Sequence, residues 1–168
     1  MPVRTLSDLD VQGKKVLVRL DLNVPMDNGV ITDDGRIRAA LPTLRALRER
    51  SAALIILTHL GRPDGAPNPK YSVAPVAERL AELLGVPVAT VGSVTGPDVE
   101  AAAHALSAGE VLLLENVRFD ARETSKDEAQ RLDLAREWAA LADCYVGDGF
   151  GVVHRKQASV TDLPALLP

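Results

Sequence analysis

The sequence holds a single cysteine, Cys144, among 168 residues. One thiol excludes an internal disulfide framework and fits a reducing compartment, so a cytoplasmic protein is expected. Cys144 sits inside an apolar run and reads as a buried structural thiol rather than a nucleophile. Aromatic residues make up only 3%, so any core must be built from Leu, Val, Ile and Ala. Basic surplus is absent too: the net charge is −4, which argues against a nucleic-acid binder. No apolar run approaches the roughly 20 residues that span a bilayer, and the N-terminus lacks the apolar region of a signal peptide. What remains is an ordinary globular composition, 46% apolar and 25% charged. Its length suits a single domain over residues 1–168.

Several chemical signatures are missing as well. No G-x-x-x-x-G-K-[ST] run occurs, so no Walker-type phosphate loop is present. Gly147-Asp148-Gly149-Phe150-Gly151 starts like a dinucleotide-binding loop, but Val152 stands where the third glycine belongs, and no βαβ unit begins there. No H-E-x-x-H, cysteine pair or EF-hand spacing appears, so no metal held by this chain alone is expected. Neither G-x-S-x-G nor a histidine-linked cysteine marks a hydrolase.

The chain itself alternates apolar runs with amphipathic stretches. Strands are predicted at 14–20, 52–57, 86–91, 111–114 and 143–146, with a short hairpin around Val30-Ile31-Thr32 between two Gly-containing turns. Helices are predicted from Arg36 to Arg50, with Pro42 near the first turn, and from Val73 to Leu84, with Ser72 as N-cap and Gly85 as stop. Another starts at Gly96-Pro97-Asp98, and a fourth runs to Leu141 behind a capping box, Ser125-Lys126-Asp127-Glu128. Residues 64–70 read as a surface loop. Most of the strands are uniformly apolar, as in a parallel sheet covered on both faces. The expected fold is therefore α/β: three α/β/α layers around a Rossmann-like parallel sheet of about five to six strands.

In such sheets ligands bind beyond the carboxyl ends of the strands. Four strands end in polar residues. The first gives Arg19, Asp21 and Asn23; the second gives His59 and Arg62. Another gives Asn116 and Arg118, and the last a Gly-rich loop followed by His154 and Arg155. Arg36 opens the first helix, while the strand at 86–91 ends without charge and reads as peripheral. Taken singly, each has a bland explanation: an arginine after a strand is usually a solvated charge, and His104, among alanines, carries no signal. Together they place arginines at one edge of an acidic chain. Guanidinium groups pair with carboxylate and phosphate. Asp21 and Asn23 can bind hydroxyls or hold the arginines in place. A small phosphorylated hydroxy acid fits.

Five motifs sharpen this: RLDLNVP (19–25), GRIRAALPT (35–43), THLGRP (58–63), LLENVRF (113–119) and GDGFGVVHR (147–155). By them the chain resembles the N-terminal domain of the phosphoglycerate kinase family over nearly its whole length. The resemblance implies binding of 3-phosphoglycerate or 1,3-bisphosphoglycerate for phosphoryl exchange with MgADP and MgATP in glycolysis. It implies that Asp21 and Asn23 contact the hydroxyl and carboxylate end of the acid. It casts Arg36 as the catalytic residue that stabilises the phosphoryl in flight. His59, Arg62, Arg118 and Arg155 become the basic patch, the three arginines nearest the 3-phosphate. Arg19 and His154 become its supporting shell. Gly147 and Gly149 stand where many members of the family have asparagine and alanine. Family members are more than twice as long. The resemblance therefore implies that this domain binds no cofactor, that Mg-ATP or Mg-ADP belongs to an absent C-terminal nucleotide domain, and that the full enzyme is a monomer. The alternatives are a stand-alone phosphorylated-acid-binding or regulatory module, a dinucleotide-binding domain, and self-association through the face a second domain would cover.

Overall fold

The structure, a computed structural model, describes residues 10–61, 63, 65–148 and 157–167. A parallel sheet of five strands forms its centre, in the order β5-β6-β4-β1-β7. These are β1 (Lys15–Leu20), β4 (Ala53–Leu57), β5 (Val88–Thr90), β6 (Val111–Leu113) and β7 (Cys144–Asp148). Two short strands, β2 (Met26–Asp27) and β3 (Val30–Ile31), form a separate antiparallel hairpin. Its turn residues, Asn28 and Gly29, both have positive φ, the type I′ geometry that the Asn-Gly pair favours. The helices are α1 (Gly35–Glu49), α2 (Ala74–Leu84), α3 (Pro97–His104) and α4 (Glu128–Ala139).

Strand order and handedness together explain the layers. From β1 through β4 to β5 the chain steps toward one edge of the sheet; from β5 through β6 to β7 it steps back. Right-handed crossovers then place the helices of the outward leg on one face and those of the return leg on the other. The core divides in the same way. Val16, Val18, Leu54, Ile56 and Leu113 pack with Ile37 and Leu44 of α1 and Val76 and Leu80 of α2. Leu17, Ile55, Leu57 and Leu112 pack with Val99 of α3, Leu134 and Trp138 of α4, and Ala158 and Leu163 of the final segment. Alternate residues of one strand thus enter opposite cores, which is why the strands read as uniformly apolar. Trp138 is buried, and its indole N–H donates to the carbonyl of Val94 at 3.1 Å. Among the described residues no helix is long and apolar enough to cross a membrane.

Some local expectations need correction. Pro42 is not in the first turn of α1 but well inside the helix. It lies on the exposed side, as does Arg38, whose carbonyl would otherwise accept the missing N–H; water can serve that carbonyl, which lowers the cost of the break. The capping box at Ser125 is also replaced. The N-cap of α4 is Asp127, which accepts from the N–H of Ala129 at 3.0 Å, while Ser125 accepts from the N–H of Asp127 at 3.1 Å. An aspartate closer to the helix competes successfully for the same orphan donors. The loop at 64–70 is not wholly irregular: Pro69–Tyr71 forms a 3-10 turn. Two more 3-10 turns follow β6, at Val117–Phe119 and Ala121–Thr124. Cys144 is buried, and burial raises its thiol above the usual range, which fits an inert structural role.

Candidate functional site

β1 pairs with β4 on one side and β7 on the other, and β4 pairs with β6, so their carboxyl ends lie along one edge. Asp21 and Asn23 leave β1 there and meet Arg36, which sits at the start of α1. The Arg36 Nη1 donates to Asp21 Oδ1 at 3.2 Å and to the Asn23 carbonyl at 2.8 Å. The Arg36 side chain remains 53% exposed. An ion pair so open to water adds little to stability, so its arrangement is better understood as placement of a charge.

The loop after β4 closes onto this pair. The Gly61 N–H donates to Asn23 Oδ1 at 2.9 Å, and the Gly61 carbonyl accepts from Arg118 Nη1 at 3.2 Å. Thr58, at the start of the same loop, is buried and its Oγ1 accepts from the Leu22 N–H at 3.0 Å. Gly61 has φ of +61°, and a Cβ there would run into the ring of Tyr71. Asn116 ties the neighbouring turns together: its Nδ2 donates to the carbonyls of Leu60 at 2.6 Å and Tyr71 at 3.0 Å, while its Oδ1 accepts from the Arg118 N–H at 3.0 Å. Glu115 accepts from the Val73 N–H at 2.9 Å and from Ser72 Oγ at 2.8 Å. A carboxylate thus sits at the N-terminus of α2, where the helix dipole favours it.

Arg19 occupies a different environment. It is 1% exposed and therefore cannot serve as an open ligand-binding charge. Its Nε donates to Ser159 Oγ at 2.9 Å, its Nη2 to His59 Nδ1 at 2.9 Å, and its Nη1 to the Leu20 carbonyl. Burial draws its pKa below the usual arginine value, and the charge of Glu123 opposes that shift. Glu123 is itself fully buried, and burial raises its carboxyl above the usual range against the pull of Arg19 and Ser159.

The structure therefore brings Asp21, Asn23, Arg36, His59 and Arg118 to one edge, with Arg19 behind them. Arg62, His154 and Arg155 lie outside the described residues. His104 ends α3 on the exposed surface, where its carbonyl accepts from Lys15 Nζ at 3.2 Å. A recess of about 420 Å³ adjoins the edge, bounded by Asn23, Gly61, Met26, Lys70 and Tyr71; Arg36 and Arg118 are not among its lining residues. Among the described residues no three His, Cys, Asp or Glu side chains gather as a metal-binding group. Sequence reasoning missed Thr58, Glu115, Glu123 and Ser159. Glu115 is adjacent to a motif residue and was within reach; the others carry no local mark of burial.

The chain is similar to known proteins over nearly its whole length. The family model described as phosphoglycerate kinase matches residues 6–168. The chain belongs to the phosphoglycerate kinase family. It is 57% identical to a phosphoglycerate kinase of Streptomyces avermitilis over 99% of the chain and 42% of that protein. It is 58% identical to one from Rhodococcus erythropolis, over 100% of the chain and 43% of that protein. The fold agrees: the phosphoglycerate kinase structure from Coxiella burnetii superposes with a TM-score of 0.85 at 40% identity, covering 99% of this chain and 40% of that one. The structure from Pyrococcus horikoshii gives 0.84 at 35% identity, covering 92% and 38%. Thus the chain spans about two fifths of the length of the phosphoglycerate kinases it matches, at their N-terminal portion.

Proposed function

We propose that the chain is the acid-binding part of a phosphoglycerate kinase, which takes 3-phosphoglycerate or 1,3-bisphosphoglycerate at the strand-end edge. The single observation that carries this reading is the junction of Arg36, Asp21, Asn23, Gly61 and Arg118, which sets two guanidinium groups at one edge of an acidic chain. In the whole enzyme the γ-phosphoryl of MgATP passes to a carboxylate oxygen of 3-phosphoglycerate, giving the acyl phosphate and MgADP, or the reverse. The nucleotide and its Mg²⁺ belong to sequence beyond this chain, and the whole enzyme is a cytoplasmic monomer.

The chemistry asks little of the protein beyond positioning and charge stabilisation. Arg36 supplies both: it is already held by Asp21 and the Asn23 carbonyl, so little reorganisation is needed as charge develops on the phosphoryl in flight. Asp21 and Asn23 orient the hydroxyl and carboxylate end, while Arg118, with Arg62 and Arg155, receives the 3-phosphate. Closure of a nucleotide domain over this edge excludes water. On its own the chain binds the acid and transfers nothing.

The test is Arg36→Ala in an enzyme of the relatives' full length. Losing a donor aimed at transition-state charge costs about 3–4 kcal/mol, or about 100- to 1,000-fold in kcat, with KM for the acid little changed. A variant that binds the acid poorly yet turns over normally at saturation would refute the role.

A further inference from the structure

Behind the ligand-facing edge lies a buried polar chain drawn from separate segments. Glu123 comes from the turn after β6, Ser159 from the final segment, Arg19 from β1 and His59 from the loop after β4; all are buried. The Ser159 N–H donates to Glu123 Oε1 at 2.7 Å, and Ser159 Oγ donates to Glu123 Oε2 at 2.5 Å. The same Oγ accepts from Arg19 Nε at 2.9 Å. Tyr145 in β7 secures the backbone of this segment, its hydroxyl donating to the Ser159 carbonyl at 2.7 Å.

The direction of the bond between Arg19 and His59 is settled by chemistry. Arginine donates and never accepts. His59 Nδ1, at 2.9 Å from Arg19 Nη2, is therefore an acceptor and carries no proton. The ring's proton sits on Nε2. A doubly protonated imidazole would aim an N–H at the guanidinium. Among the described residues, the charged and titratable groups around this chain are Arg19 and Asp21 from β1 and its loop, Glu123 and Arg118 from the segment after β6, and Tyr145. A buried guanidinium needs a counter-charge, and Glu123, relayed through Ser159, provides it.

We propose that Glu123 and Ser159 are positioning residues of the acid site: through Arg19 they hold His59 as the neutral Nε2–H tautomer. His59 then adds no positive charge to the strand-end edge, where Arg36 and Arg118 supply it. The proposal rests on the acid-binding reading for its purpose, but its geometry is testable without any ligand.

The measurement is ¹⁵N NMR of the imidazole nitrogens in this chain, with His59 assigned by His59→Gln. The expected result is an unprotonated Nδ1 and a protonated Nε2, unchanged from about pH 6 to about pH 8, where a free histidine titrates. Ser159→Ala and Glu123→Gln should convert His59 to a tautomer mixture that titrates in this range. The dispersion of the backbone amide ¹H–¹⁵N spectrum reports that the variants are folded. A wild-type Nδ1 that is protonated, or that titrates near neutrality, overturns the proposal without recourse to any variant. Folded variants with an unchanged His59 overturn the roles of Glu123 and Ser159. The variants should also bind 3-phosphoglycerate at least about tenfold more weakly. If wild-type His59 shows the expected tautomer but the chain binds no acid, the acid-binding reading fails and the tautomer lock stands.

Discussion

At the scale of the residue, Gly61 concentrates the demands of the site. Its N–H holds Asn23, its carbonyl holds Arg118, its φ is positive, and its missing side chain leaves room for Tyr71. Gly61→Ala should cost about 1–2 kcal/mol for the left-handed backbone alone, and more as the Tyr71 ring is displaced. Urea unfolding would measure the loss, and acid binding should weaken with it. A variant as stable as the parent would mean that the loop has another conformation available. Arg118→Ala differs in kind. On the proposed function it removes a charge that receives the phosphate, so binding of 3-phosphoglycerate should weaken most at low salt, where screening is least. A loss that is the same at every ionic strength would argue against a direct phosphate contact.

Asp21, Asn23, His59 and Arg118 were legible as strand-end polar residues, because each follows an apolar strand and topology brings such ends to one edge, and Arg36 as the opening of the first helix. Glu123 and Ser159 were not. No local pattern marks either as buried; the final segment joins them behind β1, where Ser159 meets Arg19 and Glu123. Arg19 was legible as a residue near the end of the first strand but not as an interior cation, since a strand pattern does not reveal which face a terminal residue will take.

At the scale of the element, Asp34 links two helices. Its Oδ1 accepts from Arg38 Nε at 2.9 Å within α1, and its Oδ2 from Arg79 Nε at 2.9 Å in α2. The hydrogen bonds from Arg38 and Arg79 lower its pKa below the ordinary value. A carboxyl depressed in the folded state binds fewer protons there than when unfolded, so its stabilising contribution is complete above the unfolded pKa of about 4. That contribution is lost as pH falls through the lower folded value. Denaturant unfolding from neutral pH to about pH 3 should therefore show less acid destabilisation in Asp34→Asn than in the parent. Equal acid slopes in the two proteins would show that the link does not persist in solution. The element scale also shows what pattern reading does less well. Helix and strand positions followed from periodicity and turn residues, and Gly85, with φ of 75°, ends α2 as expected. Caps and breaks were less secure, because Asp127 and Ser125 compete locally and Pro42 is tolerated by exposure that only the packed helix defines.

At the scale of the molecule, the layered fold was legible because strands apolar on both sides need two covers, and right-handed crossovers leave few ways to supply them. Strand order was not legible: placing β7 beside β1 requires contacts more than a hundred residues apart, such as Val16 with Cys144. That pairing brings the final segment against Arg19 and so completes the site from behind. The described residues are thereby organised as a parallel sheet with charged and polar side chains along one edge. On the proposed function, the nucleotide chemistry belongs to sequence this chain does not contain. Calorimetric titration of the chain with 3-phosphoglycerate, and separately with MgATP, tests this division most directly. The prediction is saturable binding of 3-phosphoglycerate, weakening as salt rises, and no binding of MgATP in the same range. Tight binding of MgATP, or none of 3-phosphoglycerate, would contradict it.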